Sequence, residues 1–390
     1  MSALSDRIAV SIVTGFLGAG KSTLLNRILK DPEISDVAVI INEFGEVGID
    51  HLLVETSDDS IIELSDGCLC CTVRGELVDT LATLVDRMQT GRIMPLKRIV
   101  IETTGLADPA PVMQSVLGNP VLAQDFILDG LITVVDAVNG LSTLDHHVEA
   151  RKQAAVADRL VLSKMTLATP EAIAALKAAL RQLNPRAPFV DGDSEAAGQA
   201  ALLANGLYDV SSKIADVGRW LGEEAAADDH HHYGHHHDGH HHDHHHDHDH
   251  AHRHHGHHHH DVTRHGGDIR SFSIIHDKPI EPMALEMFVD LLRSAHGEKL
   301  LRMKAIVATA DRPEQPLVLH GVQSVFHPPV RLPAWPDDGD RRTRMVLITK
   351  GLPEDFVRDL FDAFTGTPRI DRPDRQAMED NPLAIPGMRF

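Results

Sequence analysis

A glycine-rich segment between an apolar run and a helical stretch is the feature that most restricts the fold of this chain. It fits the pattern G-x-x-x-x-G-K-[ST], and with the threonine that follows we call it the glycine-rich loop: Gly15-Phe16-Leu17-Gly18-Ala19-Gly20-Lys21-Ser22-Thr23. The loop follows the β-branched run Ile8–Thr14 and opens the amphipathic stretch Lys21–Lys30. A strand, a glycine-rich turn and a helix in that order are typical of a phosphate-binding loop. The sequence therefore predicts an α/β domain built around such a loop.

The residue types of the glycine-rich loop suit a nucleoside triphosphate. Glycines let backbone N–H groups approach a phosphate without a side-chain clash, and the N-terminus of the following helix favours an anion. Lys21 would place a cation on the β- and γ-phosphates, and the Ser22 hydroxyl would bind Mg²⁺. We predict that all nine residues of the loop bind the nucleotide, that Lys21 is also catalytic and that Ser22 is a magnesium ligand.

Short apolar runs alternate with helical stretches through residues 1–220. The runs are Ile8–Thr14, Val37–Asn42, Arg98–Glu102, Leu131–Asp136 and Arg159–Ser163. The helical stretches include Lys21–Lys30, Arg74–Thr90 and Pro170–Leu183. Fully apolar strands that alternate with helices predict a parallel sheet covered by helices on both faces. We therefore assign residues 1–220 to an α/β domain with the fold of a P-loop nucleotide hydrolase.

A second region of regular patterning begins at residue 268. Strand patterns span Ile269–His276, Leu301–Ala308, Leu317–Phe326 and Thr343–Thr349, and helical patterns span Glu281–Ser294 and Pro353–Phe364. About four strands with two helices predict a small α+β domain over residues 268–366. Residues 367–390 are rich in Asp, Arg and Pro, and we predict that they form a loose tail.

The charge and composition of the chain exclude several classes of function. The chain has 390 residues, a net charge of -20 and only 4% aromatic residues. Such a negative field repels nucleic-acid backbones and anionic membranes, and so few aromatic side chains argue against stacking on single-stranded nucleic acid. No segment has the apolar length of a transmembrane helix, and no signal-peptide pattern opens the chain. We expect a cytoplasmic protein without nucleic-acid or membrane partners.

A carboxylate and a glycine follow the third apolar run at positions that suit a nucleotide site. The run ends at Glu102, and Gly105 lies three residues further on. P-loop hydrolases place an acid here to hold the Mg²⁺ shell. We therefore predict that Glu102 is a catalytic residue and a magnesium ligand. The N–H of Gly105 is predicted to sense the γ-phosphate and thus also to be catalytic.

The segment Ser163-Lys164-Met165-Thr166 comes directly after another apolar run. GTPases carry a [N/S]-K-x-D motif at this place, and its Asp accepts two hydrogen bonds from guanine. Thr166 occupies the Asp position here. One hydroxyl cannot replace a bidentate carboxylate, and the loss of such contacts relaxes base selectivity. We predict that Ser163 and Lys164 bind the nucleotide and that the nucleotide is GTP, although Thr166 leaves ATP open.

The three cysteines of the chain all fall within four positions, at Cys68, Cys70 and Cys71. Thiolates bind Zn²⁺ and other borderline-soft ions, usually with four ligands in a tetrahedron. Cys68 and Cys70 can turn toward one point, whereas Cys71 is either a third ligand or a spare. Glu43, a histidine or water would complete the set. Because a site short of four fixed protein ligands suits transfer better than storage, we predict a transfer site for Zn²⁺ or Co²⁺.

A tract rich in His and Asp lies within residues 221–267. Of the 29 histidines of the chain, 22 fall between residues 228 and 265. The tract has no hydrophobic pattern, so it cannot bury a core, and we predict a disordered linker. Neutral imidazoles bind Zn²⁺, Ni²⁺, Co²⁺ and Cu²⁺. We interpret the tract as a metal collector that feeds the cysteine site, and the alternative is a low-complexity linker without a role.

In combination, these motifs resemble the CobW family of P-loop GTPases, which are metallochaperones related to the urease and hydrogenase maturation GTPases. The resemblance covers about residues 8–220 and 268–365. It rests on five segments: GFLGAGKST (15–23), NEFGEVGID (42–50), GCLCC (67–71), ETTGLADP (102–109) and TVVDA (133–137). The combination is highly specific, although no single segment would be.

The resemblance implies GTP hydrolysis coupled to metal handling. It implies that the three cysteines form the C-x-C-C metal motif of the family and that residues 42–45 lie in the first nucleotide-sensing switch. Members of the family mostly deliver Zn²⁺ to target proteins, and one branch serves cobalamin synthesis. We therefore expect a GTP-hydrolysing metallochaperone with a metal-dependent client protein. The alternatives are a cobalt-handling factor in cobalamin biosynthesis and a nucleotide-switched metal buffer without significant catalysis. The sequence does not define an oligomeric state.

Overall fold

The computed structural model describes residues 7–42, 73–204, 269–335 and 341–366. The chain divides into two compact units between Ser271 and Phe272. Glu43, the three cysteines, the His- and Asp-rich tract and the C-terminal 24 residues lie outside the described residues. The predictions made for them, and the predicted domain boundaries, therefore stay predictions.

A six-stranded parallel sheet organises the first unit. Its strands are β1 (Ile8–Gly15), β2 (Val37–Asn42), β3 (Arg98–Thr103), β4 (Phe126–Asp136), β5 (Arg159–Ser163) and β6 (Phe189–Asp191). Their order across the sheet is β2-β3-β1-β4-β5-β6, and the pairings are parallel. The carboxyl ends of all six strands therefore meet at one edge, where open α/β sheets bind their ligands.

Strand β1 illustrates why this sheet is covered on both faces. Successive side chains of a strand point to opposite faces, and Val10 and Ile12 on one face are as fully buried as Ser11 and Val13 on the other. Helix α1 (Lys21–Leu29) packs its apolar side chains against the face that bears Val13. The predicted parallel sheet with helices on both faces is thus confirmed.

Further helices connect the strands of the first unit. They are α2 (Val73–Gln89), α3 (Ala110–Gly118), α4 (Leu122–Asp125), α5 (Gly140–His146), α6 (Val148–Ala155) and α7 (Pro170–Leu183). Helix α7 has the bounds that its pattern predicts, because two residues, a capping threonine and a proline, define its start. The Thr169 side chain accepts a hydrogen bond from the N–H of Ala172 at 3.3 Å, and Pro170 takes the first helical position, where its missing N–H is not needed.

Strand β4 begins at Phe126, earlier than the predicted start at Leu131. Asp129 and Gly130 interrupt its apolar run and hide the first half of the strand from the pattern. Asp129 is buried, but its carboxylate accepts a hydrogen bond from Arg98 Nη1 on β3 at 2.6 Å. A buried charge is tolerated when it is paired in this way, so the strand continues through it.

In the described residues, an antiparallel sheet and two α-helices form the second unit. Its strands are β7 (Ile269–His276, whose first three residues precede the division), β8 (Leu300–Val307), β9 (Leu317–Val322), β10 (Val325–Phe326), β11 (Val330–Arg331) and β12 (Thr343–Lys350). The order is β10-β9-β8-β12-β7, and β11 also pairs with β9. Helices α8 (Pro282–His296) and α9 (Glu354–Thr365) bury Phe288 and Phe361 in one core, with ring centroids 5.3 Å apart. The predicted α+β class of this unit is confirmed.

The predicted single strand Leu317–Phe326 is wrong in one respect, because the chain reverses inside it. Gln323 has a φ of 55°, which is compatible with a tight turn and not with a strand. Val322 and Val325 pair across this turn as the ends of β9 and β10. The apolar alternation on both sides of the turn made two short strands look like one.

Candidate functional site

The glycine-rich loop joins β1 to α1 through backbone conformations that glycine adopts easily. Gly15, Gly18 and Gly20 have φ values of 146°, 70° and 95°, which other residues rarely adopt. A Cβ on Gly15 would collide with the carbonyl oxygen of Val134 on β4. The loop therefore lies tightly against the edge of the sheet where β1 and β4 end.

Lys21 is the first residue of α1 and lies against the loop that precedes it. Its side chain is buried, and Nζ donates a hydrogen bond to the carbonyl oxygen of Phe16 at 3.4 Å. The Phe16 ring in turn contacts the His147 ring, with centroids 4.3 Å apart. The ammonium is thus held at the N-terminus of α1, where the helix dipole also attracts an anion.

Ser22 and Glu102 meet beside the glycine-rich loop. Strands β1 and β3 are neighbours, with Val13 paired to Glu102, and the Ser22 hydroxyl donates to Glu102 Oε1 at 2.9 Å. Glu102 is only 3% exposed. Hydroxyl and carboxylate oxygens are ligands that Mg²⁺ prefers, and the ion keeps several other positions for water and phosphate. The donor set therefore fits a magnesium ion bound together with a triphosphate.

Gly105 lies against the glycine-rich loop, close enough to leave no space for a side chain. A Cβ at Gly105 would lie 2.5 Å from the backbone N of Leu17. On its other side, Gln153 of α6 donates its side-chain amide to the carbonyl oxygens of Gly105 at 3.2 Å and Ala107 at 2.9 Å. The segment after β3 is therefore held between the loop and α6.

A second contact from α6 reinforces this arrangement. Lys152 forms an ion pair with Asp108 Oδ2 at 2.7 Å, and Asp108 Oδ1 accepts a hydrogen bond from the N–H of Ala110 at 3.0 Å. Asp108 thus connects α6 to the first turn of α3. No spacing pattern in the sequence marks Lys152 or Gln153 as site residues.

Ser163 and Lys164 bind the glycine-rich loop from the end of β5. Ser163 Oγ donates to the carbonyl oxygen of Ala19 at 2.6 Å. Lys164 Nζ donates to the carbonyl oxygen of Gly18 at 2.9 Å and to Asp136 Oδ2 at 2.8 Å. The two residues predicted to bind the nucleotide are therefore in direct contact with the predicted phosphate-binding loop.

Asp136, at the end of β4, is the anion that holds Lys164 in place. Burial raises the pKa of this carboxyl, but the hydrogen bonds from Lys164, from the N–H of Val138 and from Asn139 outweigh burial and leave it below the ordinary value of 3.8. Asp136 is therefore ionised at neutral pH. In the sequence, Asp136 belongs to TVVDA, one of the five segments that carry the resemblance.

The structure brings together the predicted site residues that it describes: Gly15–Thr23, Glu102, Gly105, Ser163 and Lys164. Glu43, Cys68, Cys70 and Cys71 lie outside the described residues. Within the described ranges, no three His, Cys, Asp or Glu side chains are grouped closely enough to hold a metal ion. The same ranges contain no helix with the length and apolarity needed to cross a bilayer.

Comparison with known families agrees with this geometry. The CobW/HypB/UreG nucleotide-binding domain matches residues 9–191, and the cobalamin synthesis protein cobW C-terminal domain matches residues 269–365. The chain belongs to the CobW family. The resemblance inferred from the motifs is thereby confirmed, and both units of this CobW-family chain are covered by the match.

Individual relatives extend the match to nearly the whole chain. The zinc chaperone YjiA of Escherichia coli is 31% identical over 355 residues, which are 91% of this chain and 98% of that protein. The zinc chaperone CobW of a Sinorhizobium species is 29% identical over 58% of this chain and 70% of its own length. The crystal structure of Zn(II)-bound YjiA GTPase from E. coli superposes with a TM-score of 0.60, at 30% identity, over 92% of this chain and 99% of that one.

The CobW-family chain departs from the GTPase pattern at Thr166, and in the structure the carboxylate of Asp193 lies beside this residue. Asp193, two residues after β6, accepts hydrogen bonds on Oδ2 from the Thr166 N–H at 3.0 Å and from the Thr166 hydroxyl at 3.1 Å. The Thr166 N–H lowers the pKa of Asp193 below its ordinary value of 3.8 and outweighs burial, which acts in the opposite direction. Nothing in the sequence pairs these two positions, which are 27 residues apart.

Proposed function

We propose that this CobW-family protein hydrolyses GTP and uses the cycle to bind a divalent metal ion and deliver it to a metal-dependent client protein. The junction of the Ser22 hydroxyl with Glu102 Oε1 at 2.9 Å, beside Lys21 and the glycine-rich loop, is the observation that carries the proposal. A lysine, a hydroxyl and a carboxylate at this junction are the parts that phosphoryl transfer requires.

The residues of the site divide the work of hydrolysis among them. Backbone N–H groups of the glycine-rich loop bind the phosphates, and Lys21 balances the charge on the β- and γ-phosphates. Ser22 and Glu102 would hold Mg²⁺, which supplies further charge neutralisation when bound. The N–H of Gly105 contacts the γ-phosphate. Water then attacks the γ-phosphorus, the bond to the β-phosphate oxygen breaks, and GDP and phosphate leave.

The metal is the cargo of this cycle, and we place it on Cys68, Cys70 and Cys71, with Glu43 as a further ligand. Thiolates favour borderline-soft ions such as Zn²⁺ and Co²⁺. We favour Zn²⁺, because YjiA and the Sinorhizobium CobW protein are both named zinc chaperones. A cytoplasmic location suits three closely spaced thiols, since that compartment keeps them reduced.

The end of β2 supports a coupling between nucleotide and metal. Strand β2 lies next to β3, and the pairs Ile41 with Glu102 and Asn42 with Thr103 align their last residues. Residue 43, where the connection that contains the cysteines begins, therefore follows two positions after Ile41, the residue paired with Glu102. In the proposed coupling, a change in the ligands of Glu102 acts on the beginning of that connection through the pairing of β2 with β3.

Metal competition under three nucleotide conditions tests the proposed function. The full chain is titrated with Zn²⁺ against a chromophoric chelator, with Mg²⁺ and a non-hydrolysable GTP analogue, with Mg²⁺ and GDP, and without nucleotide. We expect the tightest cysteine-dependent binding with the analogue, and we expect the triple variant Cys68→Ser, Cys70→Ser, Cys71→Ser to lose that component and keep binding by the histidine tract. Equal affinity under all three conditions would contradict the coupling.

Phosphate release tests the enzymatic half of the proposal separately. The wild-type chain should release phosphate from GTP in the presence of Mg²⁺. The variant Lys21→Ala should release phosphate at least about tenfold more slowly, because an electrostatic contact to the transferred phosphoryl group is removed. A wild-type chain that binds GTP and releases no phosphate would leave only a nucleotide-switched metal buffer.

A further inference from the structure

The loops that follow β5 and β6 form a corner at the carboxyl edge of the sheet, beside the glycine-rich loop. Strand β6 pairs with β5 so that Asp191 lies beside Leu162, and the N–H of Gly192 donates to the carbonyl oxygen of Leu162 at 2.8 Å. A Cβ at Gly192 would lie 2.7 Å from that oxygen. The two loops are therefore pressed together, and this places Asp193 next to Thr166.

The corner is also fixed to the helix that follows the glycine-rich loop. Arg27 of α1 donates hydrogen bonds to the carbonyl oxygens of Gly192 and Ser194. Lys164 binds Gly18 of the loop itself. The position of Asp193 relative to the phosphate-binding loop is thus set by contacts on both sides of the corner.

Asp193 carries the carboxylate that Thr166 lacks. An ionised carboxylate accepts hydrogen bonds on two oxygens, and both contacts from Thr166 fall on Oδ2. The side chain is exposed, and the backbone N–H groups of Lys164 and Met165 also stabilise its ionised form. The carboxylate lies one hydrogen bond from the hydroxyl that occupies the Asp position of the GTPase motif, which is a displacement of about 3 Å.

We propose that Asp193, carried by the loop after β6, is the carboxylate that recognises guanine in this chain, in place of the residue at 166. Its oxygens accept the N1–H and one hydrogen of the 2-amino group, and Thr166 orients the carboxylate by donating to it. Adenine offers an acceptor at N1, which the carboxylate repels, so the arrangement selects guanine. This inference rests on the proposed function, because it assigns the base specificity of the same site.

A purely structural role for Asp193 makes a different prediction. Its carboxylate also receives the Thr166 N–H at the start of a short 3-10 turn, Met165–Leu167, and such a cap stabilises the turn without reading a base. Loss of a cap alone would lower kcat/KM for every nucleotide by the same factor. If Asp193 recognises guanine, its loss instead changes the ratio of kcat/KM values between nucleotides that differ only at the 2-position of the purine.

The test is steady-state hydrolysis by the full chain of GTP, ITP, XTP and ATP. ITP lacks the 2-amino group, and XTP has a carbonyl oxygen in its place. The wild type should prefer GTP to ITP in kcat/KM by at least about tenfold, as expected for the loss of a hydrogen bond to a charged acceptor.

Asp193→Asn should lower kcat/KM for GTP at least about tenfold and raise it for XTP, because the amide N–H can donate to the xanthine oxygen. Asp145→Asn, an exposed acid on α5, is the matched control and should leave all ratios unchanged.

A reciprocal exchange keeps the inference falsifiable if Asp193→Asn folds poorly. The double variant Thr166→Asp, Asp193→Thr returns the acid to the usual position and should regain the preference for GTP over ITP that Asp193→Thr alone loses. A wild-type ratio of GTP to ITP near one, or equal loss for all nucleotides in Asp193→Asn, would overturn the inference and leave the proposed function intact. A wild type that hydrolyses none of the four nucleotides would instead overturn the proposed function.

Discussion

The side-chain amide of Gln153 donates to the carbonyl oxygen of Gly105 at 3.2 Å, and the same nitrogen reaches Ala107 at 2.9 Å. A buried residue of α6 thereby holds the backbone of the segment whose N–H is proposed to contact the γ-phosphate. The amide can do this because it offers two hydrogens to two carbonyl oxygens.

Replacing Gln153 with glutamate should be strongly destabilising. Gln153 is only 1% exposed, and an ionised carboxylate there would face two carbonyl oxygens with no hydrogen to donate. We expect Gln153→Glu to lower the free energy of unfolding by about 3 kcal/mol at pH 7 in urea titrations. The loss should shrink at acid pH, where the glutamate is protonated and regains a donor. Gln124→Glu, at an exposed position on α4, is the control, and an equal loss in both variants would refute the interpretation.

Removing the Ser22 hydroxyl should weaken the binding of magnesium more than the binding of nucleotide. Ser22→Ala deletes one of the two oxygens that meet at 2.9 Å, and we expect the Mg²⁺ concentration for half-maximal phosphate release to rise at least about tenfold, since a direct ligand is lost. Ser142→Ala, on the exposed surface of α5, should behave as the wild type. An unchanged magnesium dependence in Ser22→Ala would show that the hydroxyl is not a ligand.

A methyl group at Gly105 should displace the segment after β3 from the glycine-rich loop. The new Cβ would lie 2.5 Å from the backbone N of Leu17, and such overpacking typically costs about 1–3 kcal/mol. We expect Gly105→Ala to lose phosphate release and to unfold at a lower temperature in calorimetry. Gly198→Ala is the matched control, because its Cβ would find ordinary contacts at 3.7 Å on Arg27. Full activity in Gly105→Ala would contradict the close approach.

The ion pair between Asp136 and Lys164 should make stability depend on pH in one direction. The pKa of Asp136 is lower in the folded chain than its ordinary value of 3.8, so the folded state favours the ionised form. Its contribution is therefore complete well above pH 3.8 and is lost as the pH falls through the lower, folded-state pKa. Asp136→Asn should be less stable than the wild type by about 1 kcal/mol at pH 7, and the two should converge in acid. Urea unfolding at pH 7 and pH 3 measures the difference, and a gap that widened in acid would exclude this origin.

The glycine-rich loop, Glu102 and Lys164 could be placed from the sequence because each belongs to a local pattern. A fixed spacing of glycine, lysine and serine has few structural solutions, and an acid at the end of an apolar run must lie at the edge of a parallel sheet. The fold class follows from the same alternation of runs and helices.

Gln153 and Asp193 could not be placed in this way. Each is a single polar residue whose partner lies 27 to 48 residues away in the chain, so only the packing of α6 and the pairing of β6 with β5 bring the partners together. Strand β6 itself has three residues, too few for a periodic pattern. Such contacts are a property of the tertiary structure, and sequence spacing does not encode them visibly.

Arg27 has a consequence for the kinetics of nucleotide exchange. Because its guanidinium ties the loop after β6 to the helix that follows the glycine-rich loop, a nucleotide bound as proposed would meet surfaces at both ends that were arranged when the chain folded. A ligand that fits a prearranged cradle gains little in its rate of arrival and much in its residence time. Nucleotides that differ only in the base should therefore enter this protein at similar speeds and leave it at very different ones.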